Sequence, residues 1–271
     1  MERIKQAIEK VAQKSRRAGR DKPLSQRSDG DTENINYTQT RVVDVRMEHL
    51  ENNRIVAINK NDPNSLPFDL LRTQVLQKME ENNWRTLAIT SPTPESGKSV
   101  VAINLAISIS QQLDKTVMLV DFDLRRPKVA NYLGISMEKS LNDLLDGTAE
   151  LSEVLVNPDM PRLVVLAPNN GVRNSSEILS SKKISDLVKD LRERYKSRIV
   201  IFDLPPLLVI DDAMAILPHI DCVLMVVANG ICTKQEIEDS VRYLSSANLI
   251  GTVLNKADTG PISKYYYTSI E

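Results

Sequence analysis

Apolar residues fall into two patterns along the chain. Short runs of apolar and β-branched residues, without polar interruptions, occur at 87–90, 117–121, 163–167, 199–203, 223–228 and 249–254, two of them closing on an aspartate. Runs that are apolar on both faces suit parallel strands covered by helices on either side; a sheet open to water on one face would alternate instead. Between these runs, apolar positions recur at helical spacing. Phe68, Leu70, Leu71, Val75, Leu76 and Met79 precede Trp84, and further helical segments fall at 140–146, 176–195, 211–217 and 233–246. Strand and helix alternate, which predicts an α/β fold with a mostly parallel β-sheet flanked by helices.

The ends of the chain read differently. Residues 1–20 pattern as a basic amphipathic helix, with Ile4, Ala7, Ile8, Val11 and Ala12 on one face and Arg3, Lys5, Lys10, Lys14, Arg16, Arg17 and Arg20 around it. Two uses stay open for it: docking on an anionic membrane surface or a partner, or a solvated helix with no specific role. Residues 21–64 are expected to be a flexible linker and a loosely packed segment, with short apolar stretches at Val42-Val43 and Ile55-Val56-Ala57. The main domain is expected over 65–260, followed by a disordered tail at 261–271 that contains Tyr265, Tyr266 and Tyr267.

Composition narrows the function classes. A net charge of −1 lacks the basic excess of a general nucleic-acid binder. Cys222 and Cys232 are too few and too scattered for a disulfide framework or a zinc site, and His49 and His219 have no metal-ligand partner nearby. No run of apolar residues is long enough to span a bilayer, so the chain is expected to be cytoplasmic, with any membrane contact peripheral at the inner face of the plasma membrane.

The candidate chemistry begins where the first strand run ends. Leu87-Ala-Ile-Thr90 leads into a turn-forming stretch, Ser91 to Ser96, then Gly97-Lys98-Ser99 and a helical pattern from Val100. Strand, tight loop, Gly-Lys-Ser and helix are the context of a phosphate-binding loop, where backbone N–H groups and the positive end of a helix meet at one point. The nucleotide-binding candidates are Pro94, Glu95, Ser96, Gly97, Lys98, Ser99 and Val100. Lys98 would reach the β- and γ-phosphates, and the Ser99 hydroxyl would sit on Mg²⁺. Pro92 stands where the general pattern asks for its first glycine, leaving Gly97 as the one glycine of the loop.

Two further strand runs end in carboxylates. Val117-Met-Leu-Val-Asp-Phe-Asp-Leu-Arg-Arg-Pro127 places Asp121 and Asp123 at the ligand edge of an open α/β sheet, with Arg125 and Arg126 able to neutralise phosphate. Ile199-Val-Ile-Phe-Asp203 has the form of a Walker-B strand, and Asp203 falls where a carboxylate meets Mg²⁺. Asp211 and Asp212 read as structural residues at a helix start. Asn255, in Leu254-Asn-Lys-Ala-Asp258, reads as an adenine-edge contact, since Asp203-Leu-Pro-Pro206 lacks the glycine a guanine-reading GTPase carries there.

These motifs together resemble the cytoplasmic bacterial tyrosine kinases (BY-kinases), the P-loop autokinases of capsule and exopolysaccharide synthesis, in the same wider group as the MinD and ParA ATPases. The likeness covers about 66–271 and extends to Leu133-Gly-Ile-Ser136 and Ser176-Glu-Ile-Leu-Ser180. The resemblance implies ATP and Mg²⁺ as cofactors, held by Lys98, Ser99, Asp121 and Asp203. It makes Lys98, Asp121, Asp123 and Asp203 catalytic, with Asp121 or Asp123 activating a tyrosine hydroxyl. Tyr265, Tyr266 and Tyr267 become acceptors for a neighbouring subunit of a homo-oligomeric ring, and a transmembrane polysaccharide co-polymerase becomes the activating partner. Glu95-Ser96 stands where the family usually has Gly-Glu, and Leu66, Asp69 and Arg72 stand where its ring-forming helix has Glu-x-x-Arg-x-x-Arg. Those departures leave a second reading, a catalytically weak ATP-binding scaffold of the export machinery. A third, a MinD/ParA-type positioning ATPase, would carry an extra lysine early in the loop, and Ser91–Ser96 has none.

Overall fold

A computed structural model of the chain describes residues 40–257. The expectations for residues 1–20, 21–39 and 261–271, and with them Tyr265, Tyr266 and Tyr267, lie outside the described residues. A single eight-stranded sheet organises the described part. Its strands are β1 (Arg41–Val42), β2 (Thr86–Thr90), β3 (Thr116–Asp121), β4 (Val156–Asn157), β5 (Leu163–Leu166), β6 (Arg198–Asp203), β7 (Cys222–Ala228) and β8 (Leu249–Asn255), in the spatial order β1-β4-β5-β3-β6-β2-β7-β8. All neighbours are parallel except β4 and β5. The mostly parallel α/β sheet expected from the apolar runs is what forms.

The continuous apolar runs serve two cores. In β2 Leu87 and Ile89 enter one cluster and Ala88 the other; in β3 Val117 and Leu119 oppose Met118 and Val120; in β6 Ile199 and Ile201 oppose Val200 and Phe202. On the first face pack α1 (Met47–Asn52), α2 (Leu66–Glu81) and α3 (Lys98–Ser110), with α4 (Val129–Leu133) beside them. On the second lie α5 (Leu141–Asp146), α6 (Leu151–Val154), α7 (Ser175–Leu179), α8 (Lys182–Glu193), α9 (Asp212–Ile216) and α10 (Lys234–Tyr243). The helix α3 is buried almost all round and has no solvent face, so its run of Val, Ala, Ile and Leu shows no polar stripe. Among the described residues no helix is long and apolar enough to cross a membrane.

Two local expectations change. The helical pattern over 176–195 is two helices, because Ser181 turns extended and its side chain accepts from Ile184 N–H, capping α8 afresh. The segment 41–64 is not loosely packed. Leu50, Ile55 and Ala57 have no exposure and join the first core, and β1 pairs with β4. Its anchor is Asn104, buried in the middle of α3. Asn104 Oδ1 accepts from the N–H groups of Val56 and Ala57 at 2.8 and 2.9 Å, and its Nδ2 donates to the Arg54 and Val100 carbonyls, each at 2.9 Å. A buried polar residue in an otherwise apolar helix is thus the partner of a distant chain segment, a pairing that hydrophobic spacing does not encode.

Replacing Asn104 by leucine keeps the branching and the number of heavy atoms but leaves the N–H groups of Val56 and Ala57 without their acceptor. We expect Asn104→Leu to lower unfolding free energy by on the order of 2–4 kcal/mol. Urea melts check this, and amide exchange at Val56 and Ala57 should rise more than at β2.

Candidate functional site

The sheet register assembles the site. Asp121 at the end of β3 lies opposite Asp203 at the end of β6, and Asp203 lies opposite Ile89 near the end of β2. Because these strands are parallel, the loops that follow β2, β3 and β6 leave from the same edge. The loop after β2 is tied to the segment after β6: Thr90 Oγ1 donates to the Pro205 carbonyl at 2.7 Å, and the N–H groups of Leu207 and Leu208 donate to the Ser91 and Pro92 carbonyls. Within the loop, the Ser91 and Ser96 hydroxyls both donate to the Thr93 carbonyl. Gly97 follows in the left-handed region at φ +85, and α3 starts directly after it. Glu95 is also left-handed, at φ +62, a conformation that costs a non-glycine residue about 1–2 kcal/mol.

Gly97 is required for space as well as for φ. A Cβ there would come within 2.2 Å of Asn255 Nδ2. That amide donates to the Ser96 carbonyl at 2.9 Å. Asn255, expected to read a base edge, is here a clamp between the end of β8 and the loop backbone. An open groove of about 1060 Å³ adjoins this point, lined by Phe68, Leu71, Val100, Leu254, Asn255 and Lys256 among others.

Beneath the loop sits a buried ion cluster. Lys98 Nζ lies 3.0 Å from Asp123 Oδ2, 3.5 Å from Asp203 Oδ1 and 3.4 Å from Ser99 Oγ. Burial alone would lower the Lys98 pKa, but Asp203 and Asp123 outweigh it and hold the ammonium well above its usual value. Burial pushes Asp203 up, opposed by Lys98. Asp121 is raised to about 7, by burial first and then by repulsion from Asp203. Asp121 is turned towards backbone: Oδ2 accepts from the N–H groups of Lys128 and Val129, and Oδ1 from Asp123 N–H. It shapes the turn from β3 into α4, whereas Asp123 and Asp203 face the lysine.

The cluster holds three carboxyls and one ammonium, and one oxygen, Asp203 Oδ2, is buried with no hydrogen-bond partner among the described residues. That oxygen and the shortage of positive charge suit a cation. Among the described residues no three His, Cys, Asp or Glu side chains converge on a metal by themselves. A cation here would rest on Asp203, the Ser99 hydroxyl and the oxygens of a bound polyphosphate, which is the mixed donor set Mg²⁺ favours.

With this geometry in view, the matches to known proteins agree. A model of the CobQ/CobB/MinD/ParA nucleotide binding domain matches residues 87–271. Tyrosine-protein kinase CpsD of Streptococcus pneumoniae is 32% identical over 194 residues, 69% of this chain and 82% of that protein. The chain belongs to the bacterial tyrosine-protein kinase family. Tyrosine-protein kinase ptk of Acinetobacter johnsonii is 28% identical over 204 residues, which are 74% of this chain and 27% of that protein. The chain therefore spans about a quarter of the length of that longer relative. Among solved structures, the kinase domain of the Escherichia coli tyrosine kinase ETK superposes with a TM-score of 0.63 at 32% identity, covering 70% of this chain and 76% of that one. The fold of this family member is the nucleotide-binding α/β domain that the motif order implied.

One residue of the site escaped the sequence. Cys232, after β7, is half-buried with its sulfur 3.4 Å from Ser96 Oγ and 3.5 Å from Thr93 Oγ1, against the back of the loop. Burial works against its thiolate, but contacts with Ser96, Thr93 and the Ala228 N–H hold the thiol below its ordinary pKa. Cys222 is buried in β7 and pushed up to about 12 by burial. Iodoacetamide at neutral pH should therefore add one carbamidomethyl group quickly, at Cys232, with Cys222 following only on unfolding. Peptide mapping by mass spectrometry checks the order, and equal rates at the two cysteines would contradict it.

Proposed function

We propose that this chain is an ATP- and Mg²⁺-dependent protein-tyrosine autokinase that modifies Tyr265, Tyr266 and Tyr267 and so regulates exopolysaccharide or capsule polymerisation and export. The observation that carries the reading is Lys98 held beneath the loop between Asp123 and Asp203, one of which keeps an unpaired buried oxygen. Backbone N–H groups from Glu95 through Val100, with Lys98, hold the polyphosphate, and Pro94, which has no N–H to give, fixes the turn before them. Ser99 and Asp203 hold the cation, with Asp121 organising the turn behind them. Bound Mg²⁺ offsets the negative charge of the phosphates and of the carboxylates.

The ion pairs support one sequence of events within the chain. Lys98 exchanges Asp123 for a phosphate oxygen, so ligand binding leaves Asp123 uncompensated. Asp123 then accepts the phenolic proton as the tyrosine oxygen takes the phosphoryl group from ATP and ADP is left. Asn255 releases the Ser96 carbonyl if it is to meet adenine. A transmembrane co-polymerase is the proposed activator, with the chain peripheral at the inner face of the membrane through that partner or residues 1–20. Nucleic acid is not among the proposed partners. Ring assembly through α2 has little to draw on, because Arg72 is engaged within its own chain by Asp69 at 3.1 Å and by Ser108 at 3.3 Å.

Labelling with γ-labelled ATP and Mg²⁺, with and without a candidate activator segment, tests the reading by locating phosphotyrosine. We expect label on the tail tyrosines and a loss of about 100-fold or more in Lys98→Ala. ATP binding without phosphotyrosine under any condition would favour the scaffold reading, to which the strained Glu95 lends support. Glu95 also places an exposed carboxylate on a loop meant for phosphate. Close like charges cost on the order of 1 kcal/mol in water, so Glu95→Gly should tighten ADP binding about fivefold by calorimetry.

A further inference from the structure

A second polar cluster joins the exits of β3 and β6, and the chemistry assigned above makes no use of it. Asp212, the first residue of α9, has no exposure at all. Its Oδ2 makes no hydrogen bond among the described residues and lies 3.6 Å from Arg125 Nε. Its Oδ1 lies 2.5 Å from the Ser176 hydroxyl, which also lies 2.6 Å from Asp211 Oδ1, so the two aspartates share one donor. Arg125 Nε donates to Ser175 Oγ at 2.7 Å.

The backbone at Arg125 is fixed as well. The Leu124 carbonyl accepts from Val172 N–H at 2.8 Å, and a Cβ on Gly171 would come within 2.4 Å of the Arg125 carbonyl oxygen. Only glycine lets the 169–172 segment lie this close. Against that fixed frame, the Arg125 side chain remains 40% exposed. Its terminal amino groups make no hydrogen bond to described residues, so the flat edge of the guanidinium that recognises phosphate is open.

This arrangement is a poor stability device. A fully buried carboxylate that faces its cation at 3.6 Å carries a desolvation cost that an apolar side chain would avoid. What it does achieve is to lock one end of an arginine and leave the other end free, two residues beyond Asp123. We propose that Arg125 is the receptor for the phosphoryl oxygens as they pass towards the acceptor, and that Asp212, with Ser175, is its positioning residue. The inference rests on the nucleotide reading above and adds to it a phosphoryl contact outside the loop. The ligand class is a phosphoryl group carrying two or more anionic oxygens.

Binding separates the two ideas without recourse to kinase activity. The probes are ADP with Mg²⁺, and the same with aluminium fluoride, whose planar or octahedral anion stands in for the phosphoryl group. The unaltered chain, Arg125→Lys, Asp212→Asn and Ser175→Ala are titrated by calorimetry, each after a thermal melt. We expect ADP affinity to stay within about twofold in all variants, since the loop holds the diphosphate. The added affinity from aluminium fluoride should fall about tenfold or more in Arg125→Lys and Asp212→Asn, and less in Ser175→Ala. Arg125→Lys keeps the charge at a half-exposed position, so it reports on the held geometry even if Asp212→Asn folds poorly. Equal enhancement by aluminium fluoride in Arg125→Lys and the unaltered chain overturns this inference and leaves the nucleotide reading standing. Failure of the unaltered chain to bind ADP overturns both.

Discussion

Everything at the ligand edge depends on burying Lys98 among carboxylates. An ammonium removed from water is expensive, and it stays charged here only because Asp123 and Asp203 are within 3.0 and 3.5 Å. The reverse holds for the carboxylates: three of them within one buried cluster would repel without the lysine. Neither side is stable alone, so the loop after β2 and the strand ends of β3 and β6 form as one unit. The same mutual dependence makes the site responsive. A polyphosphate that draws the lysine away changes the electrostatic environment of both aspartates at once.

The sheet makes that cluster possible by geometry alone. Placing β6 between β3 and β2 brings Asp121, Asp203 and the loop start into neighbouring registers, with no loop needed to reach across. Burial on both faces keeps the strand ends rigid: Phe122 and Phe202, adjacent to the two aspartates in sequence, pack at 5.2 Å between centroids with their rings tilted by 35°. Aromatic contact on one side and hydrogen bonds from Lys128 and Val129 on the other leave Asp121 little room to move. Rigid carboxylates and a lysine shared between two of them are complementary parts of one cluster.

Much of this was legible in the residues, for physical reasons. Strands covered on both faces must be apolar throughout, so β2, β3, β6 and β7 announced themselves, and a Gly-Lys-Ser after such a strand admits few meanings. The carboxylates at the strand tips followed from the same logic. What stayed hidden were long-range polar partnerships. Asn104 carries no signal in the apolar spacing of its helix and is the anchor of the 41–64 segment. Ser181 looked like helix interior and is a cap. Asn255 reads as an adenine contact, and its amide also ties the end of β8 to the Ser96 carbonyl, which the sequence did not signal. Short polar side chains hydrogen-bond to whatever the fold brings near, and no periodicity records that choice.

Asp212 shows the limit most sharply. On sequence it reads as one of a pair of acidic residues opening a helix, a common and sufficient role. In the structure it does not cap α9 with its side chain, and it is sealed from water facing an arginine from another strand exit. A residue that could have satisfied a local need at the surface instead bears a desolvation cost for a distant one. Such costs persist where a side chain must be held in one orientation, and the half-exposed guanidinium it holds is the part of the ligand edge not accounted for by the loop, the lysine or the paired carboxylates.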